Sequence, residues 1–361
     1  MLRMPELPFL RPKKQPLIGV DITASAVKLL EIHPQGSRLQ VASYGVAPLE
    51  SGAVSDRRIK DYKSVARSIK RVIDRTQPTT LRTAVAVPAA AVISRTLSLP
   101  RDLDDEEMEA QVLLEADQHI PYALNEVAID FQRLPPLNPD DDTQPVLLVA
   151  CRKETTEQLD QVLEEAGLKP VVIDVENLAI ERAIRLILDQ LNEHQAEEGQ
   201  IVAVADIGAT TTTLNVLNDG EIIYSRDQMF GGKQLTDEIQ RHYGLSREEA
   251  GFAKKKGNLP SDYFTEILEP FKTATIHQIE RQLQLFYSSS NYHDIDYLIL
   301  AGGSSVIEGL PDMARHQLGA TTLVANPFAK MLLSDKVNAQ ALAQDAPAMM
   351  IACGLAMRME S

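Results

Sequence analysis

The sequence predicts an α/β protein of two halves built on one plan, with a smaller unit inserted into the first half. Three observations carry this expectation. Leu17-Ile18-Gly19-Val20-Asp21-Ile22-Thr23-Ala24-Ser25 and Val202-Ala203-Val204-Ala205-Asp206-Ile207-Gly208-Ala209-Thr210 are each a short apolar run ending in Asp-Ile, then small and hydroxyl residues. Each continues into a second apolar run, Val27 to Ile32 or Thr212 to Leu217, and a Gly turn, His33-Pro34-Gln35-Gly36 or Asn218-Asp219-Gly220. Short apolar runs bounded by turn residues read as strands, so the plan is strand, tight polar turn, strand, twice. Between the copies, the pattern over residues 88–169 changes to alternating strands around an acid-capped helix.

In order along the chain, Asp56 to Gln77 reads as a helix, because Ile59, Val65, Ile69, Val72 and Ile73 recur at helical spacing. Thr83 to Val87 is a buried strand closed by Pro88, and Val92 to Leu99 alternates as a half-exposed strand does. Asp102 to Glu107 crowd acids into the first turn of the next helix, where they favour its dipole; Met108, Val112, Leu113 and Ala116 share a face and Pro121 ends it. Val127 to Leu134 and Val146 to Cys151 read as strands joined by the loop Pro135 to Pro145, and Thr155 to Ala166 as a capped helix ending at Gly167. Residues 88–169 are therefore an expected βαββα insertion. Val171 to Val175 returns as a core strand, Leu178 to Leu191 as a helix, and the polar stretch Asn192 to Gln200 as a linker. Phe230 to His293 is mostly helical; Tyr297 to Leu300 is a buried strand breaking into Gly302-Gly303-Ser304-Ser305, where a helix from Val306 to Leu318 begins. The expected units are an arm (1–16), a first core half (17–87 with 170–195), the insertion (88–169), a second core half (196–229 with 296–361) and a helical subdomain (230–295).

Bulk composition narrows the function. The chain has 361 residues, enough for several cores, with 36 basic against 51 acidic residues and a net charge of −15. That charge argues against a nucleic-acid surface and against direct adhesion to anionic lipid. Cys151 and Cys353 lie in apolar runs without metal-ligand spacing and are expected as buried free thiols of a reducing compartment. No run approaches the roughly 20 apolar residues of a membrane span, and no signal-peptide core precedes Leu17. In the arm, Leu7, Phe9 and Leu10 stand beside Arg11, Lys13 and Lys14, but Pro5, Pro8 and Pro12 break any helical face. A cytoplasmic protein is expected.

A tight turn of small residues exposes backbone N–H groups suited to phosphate oxygens, and an adjacent carboxylate can hold a divalent cation. Two such turns facing each other would clamp a nucleotide's phosphates between the halves. Asp21 with Thr23, Ser25 and Lys28 is the first candidate, although taken alone it reads as a hairpin with a polar turn. The second, Asp206-Ile207-Gly208-Ala209-Thr210-Thr211-Thr212-Thr213, adds a glycine where backbone must approach an anion, and a run of hydroxyls; a Thr-rich strand is its plainer reading. Gly302-Gly303-Ser304 allows close backbone approach to a base or ribose, and by itself is a strand-to-helix turn.

Taken in this order, phosphate loop, insertion, connecting helix, phosphate loop, helical subdomain, Gly-Gly turn and final helix, the chain resembles the actin-like ATPase superfamily, with its duplicated ribonuclease-H-like halves. Within it the FtsA-type branch carries an inserted subdomain at the place of residues 88–169. From Leu17 to Arg358 the chain is more closely similar to the PilM family, cytoplasmic actin-like proteins of the type IV pilus assembly platform. The stretches that carry this are Gly19-Val20-Asp21-Ile22 with Val27-Lys28-Leu29-Leu30-Glu31, His119-Ile120-Pro121-Tyr122, Gly231-Gly232-Lys233-Gln234-Leu235-Thr236, Arg281-Gln282-Leu283-Gln284-Leu285-Phe286-Tyr287 and Ile299-Leu300-Ala301-Gly302-Gly303. The resemblance implies ATP and Mg2+ as ligands, with Asp21 and Asp206 as the two carboxylates that hold the metal, mostly through water. Thr23, Ser25, Lys28, Gly208, Thr210 and Thr211 match phosphate contacts. Gly231 and Gly232 match the backbone approach at the start of the helical subdomain, with Lys233 close by, and Gly302, Gly303 and Ser304 match the nucleoside loop. Lys254 matches a lysine near the ribose, but Gly251 stands where relatives carry a ribose-binding glutamate. Glu176 is the nearest match to the residue that orients water for hydrolysis, and reads equally as a helix-start acid. ATP binding with weak or absent ATPase activity is expected.

The resemblance further implies an adaptor that captures the cytoplasmic N-terminal peptide of a PilN-like inner-membrane protein, reaching the membrane only through it. Self-association and contacts with other pilus platform proteins are implied too, and nucleic acid is not. The alternatives are an FtsA-like, filament-forming division ATPase and a sugar or acetate kinase on the same core. Against the first, Met359-Glu360-Ser361 follows directly on the last expected core helix, where that class carries an amphipathic tail; against the second, the insertion offers no obvious substrate-positioning carboxylate. A related secretion-platform protein, GspL, continues into a membrane span that is not expected here.

Overall fold

The computed structural model describes residues 15–136, 138, 141–192 and 199–358. Residues 1–14 of the expected arm and residues 193–198 of the expected linker lie outside the described residues. The first half opens with three antiparallel strands, β1 (Ile18–Ile22), β2 (Ala26–Gln35) and β3 (Arg38–Pro48). A small hairpin, β4 (Val54–Ser55) and β5 (Arg58–Ile59), precedes α1 (Tyr62–Thr76) and β6 (Arg82–Val87). The insertion supplies β7 (Val92–Pro100), α2 (Asp105–His119), β8 (Val127–Arg133) and β9 (Thr143–Arg152). Then follow α3 (Lys153–Glu165), β10 (Lys169–Val175) and the connecting helix α4 (Glu176–Asn192).

The second half repeats the opening with β11 (Ile201–Ile207), β12 (Thr212–Asn218) and β13 (Glu221–Gln228). Helices α5 (Gly232–Tyr243) and α6 (Arg247–Lys256), a π-helical turn (Phe264–Leu268) and α7 (Glu269–Ser289) form the helical subdomain. The chain closes through β14 (Tyr297–Ala301), α8 (Leu310–Leu318), β15 (Thr321–Val324), β16 (Leu332–Leu333), α9 (Ala339–Asp345) and α10 (Met350–Ala356).

The duplication is complete at the level of sheet topology. The first sheet runs β10-β6-β1-β2-β3-β16 and the second β15-β14-β11-β12-β13, so five strands recur in the same order. In both, the first strand pairs antiparallel with the second and parallel with the next core strand. The register sets Asp21 opposite Lys28 in one and Asp206 opposite Thr213 in the other. The sixth strand of the first sheet, β16, comes from the second half and pairs with Gln40 and Val41, stitching the halves together.

Helices α4 and α10 cross between the sheets in a core to which both halves contribute, among them Leu30, Ile184, Val204, Ile299 and Cys353. The crossing is close enough to demand glycine. A Cβ on Gly354 would stand 1.8 Å from the Ala179 carbonyl oxygen, and one on Gly19 would stand 2.2 Å from that of Ala352. Arg182 fastens the crossing by donating Nε–H to the Gly354 carbonyl (2.8 Å) and pairing with Asp174, which also accepts from Arg358 (3.1 Å).

Four expectations need correction. Residues 56–61 are not helical: Asp56 and Arg57 form the tip of the β4–β5 hairpin with φ of 51° and 58°, and α1 starts only where the Asp61 side chain accepts from Ser64 N–H (3.0 Å). Ile59 is buried, but by the hairpin rather than a helix face. The helix after β9 starts at Lys153, two residues early, and Arg152 gives it no side-chain cap. Its Leu159, Val162 and Leu163 pack with Val65 and Ile69 of α1, so the insertion's own core is made by β7, α2, β8 and β9. In α2, capped by the reciprocal Asp104–Glu107 pair, Met108, Val112 and Ala116 face that core, whereas Leu113 is 40% exposed. Finally, residues 302–309 are successive turns, and α8 begins at Leu310 after Gly309, whose φ of +76° stops an earlier helix start.

Candidate functional site

The cleft between the halves is built on the two matching turns. At the end of β1, Asp21 is buried and its Oδ2 accepts from Lys28 Nζ at 2.8 Å. The turn that follows is self-contained: Thr23 Oγ1 donates to the Ala26 carbonyl (2.8 Å) and accepts from Ala26 N–H (3.1 Å), while Ser25 is exposed. In the second turn Gly208 N–H donates to the Thr211 carbonyl (3.0 Å). The N–H groups of Ala209, Thr210 and Thr211 meet no protein acceptor among the described residues, which gives this turn the greater capacity for an anion.

The glycines hold three loops in mutual contact. Gly232 N–H donates to the Gly208 carbonyl (3.0 Å) and Lys233 N–H to that of Ala209 (2.7 Å), so the start of α5 is tied to the second turn. A Cβ on Gly231 would lie 2.6 Å from the Gly208 oxygen, and one on Gly232 would lie 2.3 Å from Ser304 Oγ. Ser304 N–H donates to the Ile207 carbonyl (3.1 Å). Gly302 takes φ +84° with its absent Cβ 2.4 Å from Asp206 Oδ1, while Gly303 faces open space. Lys254 Nζ donates to the Gly232 carbonyl (3.0 Å) and Thr236 Oγ1 (2.9 Å), and burial with the nearby Lys255 charge lowers its pKa to about 8. Lys233 turns along α5 to pair with Asp237 (3.0 Å). The structure thus brings Asp21, Lys28, Asp206, Gly208, Gly231, Gly232, Gly302 and Ser304 together, with Lys254 behind them, whereas the exposed Ser25 is not drawn into this set by any contact.

Arg57 and Asp227, absent from the expected set, join these residues, together with Thr213 at the end of the expected hydroxyl run. Arg57, at the hairpin tip, pairs with Glu176 at the start of α4 and donates through Nη2 to Thr213 Oγ1 (3.1 Å) and Asp227 (3.2 Å). Thr213 in turn donates to Asp227 (2.7 Å). The usable signal was the helix cap at Asp61, which frees the residues before it for a hairpin.

Charge is unbalanced here. Four carboxylates, Asp21, Glu176, Asp206 and Asp227, share the cleft with two cations, Lys28 and Arg57. Burial raises the Asp206 pKa, with Lys28 pulling it down and Asp21 pushing it up. Burial acts against the Lys28 charge, yet Asp21, Asp206 and Glu176 prevail and its pKa is raised. Glu176 is pushed up to about 7 by burial, with Arg57 opposing and Asp21 and Asp227 adding. Among the described residues no three His, Cys, Asp or Glu groups converge as a ready metal cage. The donor set instead fits a hard divalent cation held by one or two carboxylates, the rest of its shell being ligand oxygens and water.

The Glu176 shift fixes a pH dependence of stability. Its folded pKa of about 7 exceeds the reference value of 4.5, so between these values the native state binds more protons than the unfolded. Stability from this group is therefore complete below the lower value and is lost as pH rises toward the higher. Denaturant titrations at pH 5 and pH 8 should show Glu176→Gln losing less stability over this interval than the wild type, by roughly 1–3 kcal/mol. Equal losses in the two proteins would show that Glu176 is already ionised at pH 5.

Two sheets of one strand order, helices crossing between them and facing carboxylate turns define an actin-like fold. The chain belongs to the PilM family: the model of type IV pilus assembly protein PilM matches residues 19–360. A chain of the PilM–PilN type IV pilus biogenesis complex is 26% identical, with a TM-score of 0.77 over 96% of this chain and 98% of that one. Ethanolamine utilization protein EutJ from Carboxydothermus hydrogenoformans shares the fold at 17% identity and a TM-score of 0.55, over 96% of this chain and 90% of its own. Cell division protein FtsA of Pseudomonas aeruginosa is 23% identical over 90% of this chain and 76% of its own length.

Proposed function

We propose that this chain is an ATP-binding adaptor of the type IV pilus inner-membrane platform that captures the cytoplasmic N-terminal peptide of a PilN-like membrane protein. The observation that carries this reading is the likeness, over nearly the whole of both chains, to one taken from a PilM–PilN complex. The cleft supports the nucleotide part. Asp21 and Asp206 would hold Mg2+, the free N–H groups of Ala209 to Thr211 with Lys28 would meet the phosphates, and Gly302 to Ser304 would lie against the nucleoside. Bound Mg2+ supplies positive charge to the phosphates and to the crowded carboxylates. Glu176 is engaged by Arg57 rather than free to orient water, which favours slow or absent turnover.

The peptide is assigned to the groove between the first-half core and the insertion. An extended peptide with aliphatic anchors suits the edge of such a unit. Met108 is spent on the insertion's own core, while Leu113, Leu114 and Tyr122 are 40%, 58% and 41% exposed and offer an apolar surface. Photo-crosslinking from a labelled PilN-like N-terminal peptide is expected to mark residues 88–169 and the neighbouring first half. Adducts confined to residues 230–295 would sink the assignment.

Among the described residues no helix is long and apolar enough to cross a membrane. We place the protein in the cytoplasm, at the membrane only through its partner. It should stay in solution with anionic liposomes and sediment with them once the partner is embedded. Unaided sedimentation would favour the FtsA-like, filament-forming alternative, which otherwise rests on the 23% identity to that division protein.

A further inference from the structure

We infer that Arg57 is a strap across the cleft: one guanidinium holds the hairpin of the first half to Glu176 on the connecting helix and to Thr213 and Asp227 of the second half. The base of the hairpin is fixed, since Ala53, Val54 and Ile59 are buried in the first-half core. Its tip is a two-residue turn with both central residues at positive φ, a conformation that ordinarily selects Asn or Asp followed by Gly. Asp56 suits the first of these positions, but Arg57 holds the second against its ordinary preference, and such a local cost persists where the surroundings impose it. Here the surroundings are the contacts of the Arg57 side chain across the cleft. Nη1 takes Glu176 while Nη2 takes Thr213 Oγ1 at 3.1 Å and Asp227 at 3.2 Å, a forked grip on three elements that a lysine ammonium does not reproduce. A second bond between the halves runs from Arg247 Nη1 on α6 to Ser51 Oγ just before the hairpin (2.7 Å).

The strap also shares the electrostatic field of the cleft. Asp206 acts on Arg57, and Asp21 acts on Glu176. Any charge that enters beside the two aspartates therefore changes the balance holding Arg57, and with it the separation of the halves at the cleft mouth. The strap itself needs no ligand and does not depend on which nucleotide or partner the protein binds.

Spin labels on Lys63→Cys in α1 and Glu248→Cys in α6, both exposed sites, report the separation directly in the full chain without ligand. Arg57→Ala is expected to raise the long-distance population at least twofold over the strapped protein, and Arg57→Lys to restore less than half of the change. Asp227→Ala combined with Thr213→Val leaves the hairpin intact and removes the second-half acceptors of Arg57, so it should widen the distribution in the same sense. An unchanged distribution in this double variant overturns the strap, whatever becomes of the Arg57 variants.

Discussion

Replacing Gly354 with alanine is expected to cost about 3 kcal/mol or more of stability, near or beyond the upper end of what overpacking a core usually costs. The added Cβ would stand 1.8 Å from the Ala179 carbonyl oxygen, 2.5 Å from its carbon and 2.8 Å from its Cα. All three are backbone atoms inside α4, so no rotamer change relieves the overlap; α10 or α4 must shift as a body. Neither is free to do so. Arg182 of α4 bonds the Gly354 carbonyl at 2.8 Å and pairs with the buried Asp174 carboxylate, and Gly19 presses the opposite face of α10 against β1. Because this crossing joins the halves, the loss should appear as a single lowered denaturation midpoint with an unchanged slope. Gly251→Ala is the matching control: it lies in α6 with nothing within 4 Å of its missing Cβ, and should gain roughly 0.5–1 kcal/mol from reduced backbone freedom. A Gly354 variant within 1 kcal/mol of wild type would mean that the helices separate more easily than their packing indicates.

The repeated plan was legible because it is written locally. An apolar run, an Asp, a turn of small residues and a second apolar run determine a strand pair without reference to the rest of the chain, and the register opposing Asp21 to Lys28 follows from turn length. Capped helices were legible for the same reason, as the Asp104–Glu107 pair at α2 illustrates. Where local signals were ambiguous the outcome depended on packing. Leu159, Val162 and Leu163 announce a buried face but not its neighbour, which is α1 rather than the insertion. Ile59 fits a helical period by chance, and only the cap at Asp61 decides against it. Two residues in β16 say nothing of a strand until β3 offers them an edge.

The candidate site divides in the same way. Its aspartates and glycines stand out in the sequence, because an acid ending a buried strand and a glycine facing backbone oxygens each satisfy a constraint that few residue types meet. Gly302 is a clear instance, with positive φ and no room beside Asp206. Arg57 and Asp227 gave no such mark, and Thr213 stood in the run of hydroxyls without any sign of these partners. They meet across separations of 156 and 170 residues, and only the docking of one half on the other makes them neighbours. Gly19 shows the reverse: part of a stretch that carries the family resemblance, it is required by the α10 backbone behind it.

Asp206→Ala is expected to weaken Mg2+-dependent ATP binding roughly 10- to 100-fold or more, the loss that follows from deleting one charge-assisted contact, while leaving the protein folded. The expectation that the fold survives has its own physical ground. Burial raises the Asp206 pKa, so its ionised form is unfavourable in the unliganded cleft, and among the described residues nothing donates a hydrogen bond to it. Lys28 keeps Asp21 as its partner at 2.8 Å when Asp206 is gone. The variant should therefore melt at or slightly above the wild-type temperature. Binding moves the other way, since the carboxylate that is costly in the empty cleft is the one best placed to share a cation with phosphate oxygens at the second turn. Calorimetric titration with ATP, with and without Mg2+, separates these effects, and Asp206→Asn keeps the shape while removing the charge. Wild-type protein that binds ATP equally well without the metal would defeat the expectation, as would an Asp206→Ala variant with unaltered affinity. A stable variant that has lost only the metal-dependent part would show that this aspartate is held at the mouth of the second turn for a ligand and not for the fold.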